Sequence, residues 1–170
     1  MSATTATYTS TYTVVDVRRV LDQFGADYDM AAQSTGLVAD DHVTKVIHDI
    51  KAFAENGYLN RVDIVLRDAT GTTIRAHRYT VSTDASLWTT QRPGDSLWPR
   101  TPVGTLRVVI FRSDAWRQLP AGTQAAFGRD VLELGWSGTD IDTSYSGLTG
   151  HTDRRYGSNG FGLERTAFTK

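Results

Sequence analysis

The spacing of apolar residues changes once along this chain, near residue 58, and that change restricts the fold to a mixed one. Upstream, Val14, Val17, Leu21, Phe24, Tyr28 and Ala31 recur at three- and four-residue intervals, the apolar stripe of a helix. Thr13 followed by Asp16 resembles a capping box with a shortened carboxylate. Gly25 sits inside the stripe, where glycine costs about 1 kcal/mol relative to alanine. A second stripe, Val43, Val46, Ile47, Ile50, Phe53 and Ala54, is preceded by Asp40 and Asp41 and stopped by Asn56-Gly57. Downstream the period falls to two. Residues 61–67 and 73–81 flank Asp68-Ala69-Thr70-Gly71, a hairpin signature. Residues 106–111 suit a central strand, 114–119 a helical turn, 131–136 another strand and 161–168 a last one. The proline-bearing stretch 82–104 reads as a loop tucked onto the core by Trp88 and Trp98. Helices followed by strands predict an α+β domain, helices packed on a mostly antiparallel sheet.

A chain of 170 residues is enough for one domain with a real core and too short for two to be expected. Hydrophobic residues at 39% and charged ones at 22% describe a soluble globular protein, expected in the cytoplasm, and no apolar run approaches a membrane span. The threonine-rich start has neither the basic nor the apolar region of a signal peptide, so residues 1–11 read as a flexible extension. Without cysteine there is no disulfide framework, thiol nucleophile or thiolate-bound metal. The net charge of −1 divides into an acidic first third and a basic middle. Arg61, Arg67, Arg75, Arg78, Arg92, Arg100, Arg107 and Arg112 could gather on one sheet face, but interspersed acids argue against direct nucleic-acid binding.

Residues 135–170 form a polar tail that holds seven of the 15 glycines. It also carries Trp136, Ile141, Tyr145, Leu148, Tyr156, Phe161, Leu163 and Phe168, more aromatic side chains than a disordered tail would have. An ordered segment on a winding path fits both facts. In its final run, alternation sets Phe161, Leu163 and Arg165 on one face and Gly162, Glu164, Thr166 and Phe168 on the other.

Catalytic signatures are missing. The four histidines, 42, 48, 77 and 151, are dispersed; no serine sits in a nucleophile elbow, and no phosphate-binding loop is present. Asp140, Asp142, His151 and Asp153 could ligate a cation or, for Asp140 and Asp142, serve a metal-dependent hydrolase, but the same residue types build turns. Neither a metal nor a cofactor is expected, and a binding module is favoured over an enzyme. A free edge strand would give such a module its site, because an extended peptide completes the edge through main-chain hydrogen bonds. A structural or assembly protein with a static terminal strand is the other reading.

Five phrases carry a resemblance: YTVVDVRRVLDQF, AENGYLNRVDIVLRD, AHRYTVS, RPGDSLWPRTP before LRVVIF, and DIDTSYSGLTGHTDRRYGSNGFGLERTAF. In this order the chain resembles a bacterial HORMA-domain protein of the CBASS antiphage systems, over nearly its whole length after residue 10. The resemblance implies a core over residues 12–135 and a C-terminal "safety belt" over 136–170. It further implies a closure peptide, or a second HORMA protein, held against the edge made by Leu106–Phe111 or its neighbour. Tyr156, Phe161, Leu163 and Arg165 are the residues expected to dock the belt or peptide, with Arg154 and Arg155 as possible partner contacts. The implied partners are a cGAS/DncV-like nucleotidyltransferase, which such a domain regulates, and a TRIP13/Pch2-like AAA+ ATPase that engages the N-terminal extension.

Overall fold

A computed structural model describes residues 14–85, 98–128, 135–136, 145–158 and 160–170. Two helices, α1 (Val14–Thr35) and α2 (Asp40–Glu55), precede the sheet. Their stripes are buried: Val17, Leu21, Phe24, Tyr28 and Ala31 from α1 meet Val43, Val46, Ile50 and Phe53 from α2 in one core. Gly25 lies at a close approach of the two helices, since a Cβ there would lie 3.2 Å from Ile47 Cγ2. The glycine's propensity cost is therefore offset by tight packing. The first helix opens one residue after Thr13, which lies outside the described residues together with its cap.

At the end of α2 the backbone turns through Gly57 at φ +75°. Gly57 N–H donates to Ala54 O (3.0 Å) and Tyr58 N–H to Phe53 O (2.9 Å), satisfying carbonyls that the helix leaves unpaired. This reversal aims the chain directly into β1 (Leu59–Arg67), which pairs antiparallel with β2 (Thr73–Ala85) and with β3 (Thr105–Arg112). Short helices α3 (Asp114–Arg117) and α4 (Ala121–Gly128) follow, then β4 (Gly135–Trp136) and a C-terminal hairpin of β5 (Thr149–Ser158) and β6 (Gly160–Thr169). Strand order is β4-β3-β1-β2-β6-β5, and only the β3–β4 pairing is parallel.

Helices cover one face of this sheet. Val62, Ile64 and Leu66 of β1, Tyr79 of β2 and Val108 and Ile110 of β3 point into the helical core. On the opposite face Val65, Ala76 and Phe168 form a smaller cluster under Tyr145 and Leu148. The chain thus passes from β4 at one edge of the sheet to β5 at the other, touching the back face at Tyr145. The expected two-layer α+β domain is the one observed.

Two expectations need revision. The arginines do not gather on one face: Arg78 bonds Asp63 on the back, whereas Arg75 bonds His77 on the helical side. Strand β2 runs on to Ala85, into the stretch 82–104 expected to be loop. Strand β5 has one large apolar residue, Tyr156, and the eight-residue α4 is too short for an apolar period, so neither is marked in the sequence. Of the strand expected at 131–136, only Gly135 and Trp136 fall among the described residues, and Trp88 falls outside them.

Candidate functional site

The C-terminal hairpin closes the β2 edge. Strand β6 pairs with β2 from Ala76↔Phe168 to Ala85↔Gly160, and β5 lines the outside of β6. Period-two alternation decides what each side chain meets. Phe161 and Leu163, both fully buried, and Tyr156 beside them join the core under α1, which also touches both hairpin strands. Phe168 faces the back, where Tyr145 packs edge-on at 5.1 Å between ring centroids. Gly150 allows this, because a Cβ there would come within 2.8 Å of the Phe168 ring.

Arg165 falls on the buried face and is only 1% exposed. A guanidinium removed from water is costly unless paired and hydrogen-bonded. Here the register supplies a partner. The β5–β6 pairing slips between Thr152 and Arg154, leaving Asp153 as an extra residue in a bulge. Bulges re-aim side chains, and Asp153 grips Arg165 with both oxygens, one of them 2.9 Å from Nε. On its other side Arg165 Nη1 lies 3.6 Å from Asp27 Oδ2 of α1.

Asp27 is the centre of this cluster. Its Oδ2 accepts from Tyr79 Oη at 2.6 Å and pairs with His77 Nδ1 at 2.7 Å, while Oδ1 accepts from Trp98 Nε1 at 2.9 Å. Arg75 Nε donates to His77 Nε2 at 3.0 Å. That ring nitrogen must then be the acceptor, so Nδ1 carries the proton and donates to Asp27. His77 is neutral in this arrangement, and burial, outweighing the pull of Asp27, keeps its pKa below the ordinary 6.5. Burial alone would raise the pKa of Asp27. The hydrogen bonds from His77, Tyr79 and Trp98 outweigh it and bring the carboxyl from 3.8 to about 2. Burial likewise works against the charge of Arg165, but its bonds to Asp153 and the nearby Asp27 raise its pKa further.

A second charged group sits on the back face. Asp63 is fully buried and receives Arg78 Nε and Nη2 at 3.2 Å, with Tyr145 Oη donating to Oδ2 at 2.6 Å. The guanidinium of Arg78 lies 4.8 Å from the Phe168 ring centre, so this group also touches the hairpin.

The opposite edge of the sheet is built differently. Strand β3 runs for eight residues beside β1, yet among the described residues its outer side meets only β4, at Val109↔Gly135 and Ile110↔Trp136. Leu106, Val108 and Ile110 are committed to the core; Thr105 and Arg107 are exposed.

The structure therefore brings Tyr156, Phe161, Leu163 and Arg165 together in the buried side of the hairpin. Arg154 is buried, with Nη1 3.3 Å from Tyr156 Oη, and Arg155 is exposed and ion-paired to Glu164 at 2.8 Å. Of the candidate metal set, Asp153 is engaged by Arg165 and His151 is exposed, while Asp140 and Asp142 lie outside the described residues. Among the described residues no group of three His, Cys, Asp or Glu could hold a metal ion. No helix among them is long and apolar enough to cross a membrane.

Sequence reasoning missed Asp27 and the role of His77, whereas Trp98 is packed on the core as expected and adds its bond to Asp27. His77, mid-strand in β2, is fully buried. One signal was present: Asp27 falls on the apolar stripe of α1, between Phe24 and Ala31. A carboxylate there has to find partners across the core.

Comparison with known proteins agrees with this architecture. The model of bacterial HORMA domain family 1 matches residues 1–169. An Escherichia coli protein named CD-NTase-associated protein 7 is 38% identical over 160 residues, covering 94% of this chain and 95% of its own. Among solved structures, a chain of the E. coli MS115-1 CdnC:HORMA-deltaN complex superposes with TM-score 0.73 at 17% identity, covering 94% of this chain and 90% of that one. A chain of the HORMA:CdnC:Trip13 complex from the same strain gives TM-score 0.70 at 18% identity, covering 95% and 92%. The helical layer, the antiparallel sheet and the hairpin closing its β2 edge are thus those of a bacterial HORMA domain, and the chain belongs to that family.

Proposed function

We propose that this protein is a non-enzymatic regulatory module that captures an extended segment of a partner protein and thereby controls a cGAS/DncV-like nucleotidyltransferase in CBASS antiphage signalling. The observation that carries the reading is the eight-residue β3, partnered by β1 inside and, among the described residues, by two residues outside. Such an edge offers main-chain donors and acceptors to an incoming strand, while side chains beside it select the sequence. Val109, half-buried, and the exposed Thr105 and Arg107 are the flanking groups available for that selection.

The partner assignment rests on kinship: a relative 38% identical is named for association with a CD-NTase. Fold likeness to chains of the CdnC:HORMA-deltaN and HORMA:CdnC:Trip13 complexes supports an AAA+ ATPase of the TRIP13/Pch2 kind as the remodelling partner, acting on the N-terminal residues 1–11. In this reading residues 136–170 are the belt. Tyr156, Phe161, Leu163 and Arg165 dock its hairpin, and Arg154 and Arg155, the latter exposed and ion-paired to Glu164, are the groups on it that would meet an acidic partner surface.

Hydrogen exchange tests the site. Peptides tiling a cGAS/DncV-like nucleotidyltransferase are added to the protein, and protection is expected over Thr105–Arg112. Binding that leaves those amides unprotected rejects the edge as the site. In parallel, the nucleotidyltransferase should make its product faster with this protein and a binding peptide than alone. The alternative, an assembly protein with a static terminal strand, draws support from the complete burial of Phe161 and Leu163. It predicts unchanged exchange over 160–169 during a confirmed binding event.

A further inference from the structure

The back-face and front-face charged groups raise the same question: why does a C-terminal hairpin carry a buried arginine where an apolar residue would complete the core? Arg165 lies directly across from Tyr79 in the β2–β6 register and from Arg154 in the β5–β6 register. Its immediate neighbours on that face are Leu163 and Ala167, both buried. Methionine or leucine would suit this surrounding, and replacing buried ion pairs by apolar residues is often neutral or stabilising. An arginine is retained against that alternative, and its geometry says what it does.

From the geometry of these groups we infer that Arg165 is a charge latch: it locks the C-terminal hairpin onto the β2 edge by neutralising Asp27 of helix α1, and Asp153 presets it for that contact. Three observations support the latch. The Asp27 carboxylate accepts bonds from Tyr79, His77 and Trp98, and the hairpin brings the Arg165 guanidinium to 3.6 Å from it. The bulge at Asp153 places both carboxylate oxygens on Arg165 within the hairpin itself. Asp153 keeps 34% of its side-chain surface, so it can hold Arg165 in solvent as well as in the core. The hairpin therefore carries a pre-formed Arg–Asp pair, and docking adds the second carboxylate.

The consequence is selective. Undocking returns Arg165 and Asp153 to water as a pair, but opens Asp27 to solvent on one side while Tyr79, His77 and Trp98 stay with it. Since Trp98 belongs to the segment after β2, release of the hairpin is coupled to the chain around residue 98 through one carboxylate. The latch concerns how the hairpin is held, and it stands whether or not β3 captures a peptide.

Hydrogen exchange on the peptide-free chain reads the latch. In Arg165→Gln, amides of 149–157 and 160–169 should exchange faster, by on the order of tenfold or more, while Val62–Leu66 keep their protection. Arg165→Lys, which restores the charge without the fork geometry, should recover part of it. Asp153→Asn, at a partly exposed position, should give a smaller acceleration confined to the same strands. Equal acceleration in β1 and the hairpin would make Arg165 a general stability residue and overturn the latch. So would an Arg165→Gln hairpin that exchanges as the parent does. If Arg165→Gln does not fold, Asp153→Asn decides: hairpin-confined acceleration upholds the latch and its absence overturns it.

Discussion

The two flanks of the β1–β3 core are made from the same chain by opposite means. On the β2 flank a ten-residue strand pairs along its length, and aromatic and aliphatic side chains and two buried carboxylates hold it. On the β3 flank the described pairing is two residues long and parallel. Backbone hydrogen bonds are common to both, and each is worth only about 1 kcal/mol net. Among the described residues, what separates the flanks is the length of the covering strand and the buried side chains that β6 brings with it. A flank closed by side chains is specific to one strand; a flank offering mainly backbone accepts any strand whose flanking residues fit.

The contrast can be broken most forcefully at the hairpin core. Phe161→Ala empties a fully buried site and should cost about 3–5 kcal/mol, read from urea unfolding monitored by tryptophan fluorescence. A cost below about 1 kcal/mol would mean that the hairpin is not part of the folding unit and that the two flanks are alike.

Next comes the charge at Asp27. Its carboxyl lies at about 2 in the fold against 3.8 outside it, so it contributes about 2 kcal/mol above pH 4, lost as pH falls from 3.8 toward 2. Asp27→Asn should remove that acid-side slope. His77, faced by Asp27, Arg75, Arg165, Tyr79 and Trp98, has its pKa lowered as well. The unfolded chain therefore takes up a proton below 6.5 that the native state refuses, and stability should decline as pH drops below that value. His77→Gln should flatten this part of the curve, and an unchanged slope would show that His77 is not held neutral.

Tyr145→Phe removes one donor from buried Asp63 while Arg78 remains, so about 1–2 kcal/mol should be lost in the same assay. Smallest of all, Arg107→Ala on the exposed side of β3 should change stability by less than about 0.5 kcal/mol. If peptide capture uses that flank, its effect should appear in peptide affinity instead.

These contrasts also explain what could be read ahead of the structure. Helices α1 and α2 and the β1–β2 hairpin were legible because each spans a local apolar period, and β6 because Phe161, Leu163 and Phe168 alternate correctly about Arg165. Strand β5 was not: in Thr149–Ser158 the single large apolar residue is Tyr156, and its order comes from pairing with β6 rather than from its own composition. The Asp27 cluster was hidden for a different reason. Its members come from α1, β2, the stretch after β2 and the hairpin, with Asp27 and His77 separated by 50 positions and Asp27 and Trp98 by 71. No window of sequence contains them together. Only the misplaced carboxylate on an apolar stripe hinted at them, and it does not say which partners answer it.

The bulge at Asp153 bears on whether such domains can exchange parts. A hairpin grafted from another protein could match every apolar contact and still arrive one residue short in its outer strand. Its arginine would then lack the carboxylate that carries it through water, and Asp27 would face a guanidinium held in no fixed position. Transplantation should succeed only when helix α1, the strand register and the extra residue travel as a set.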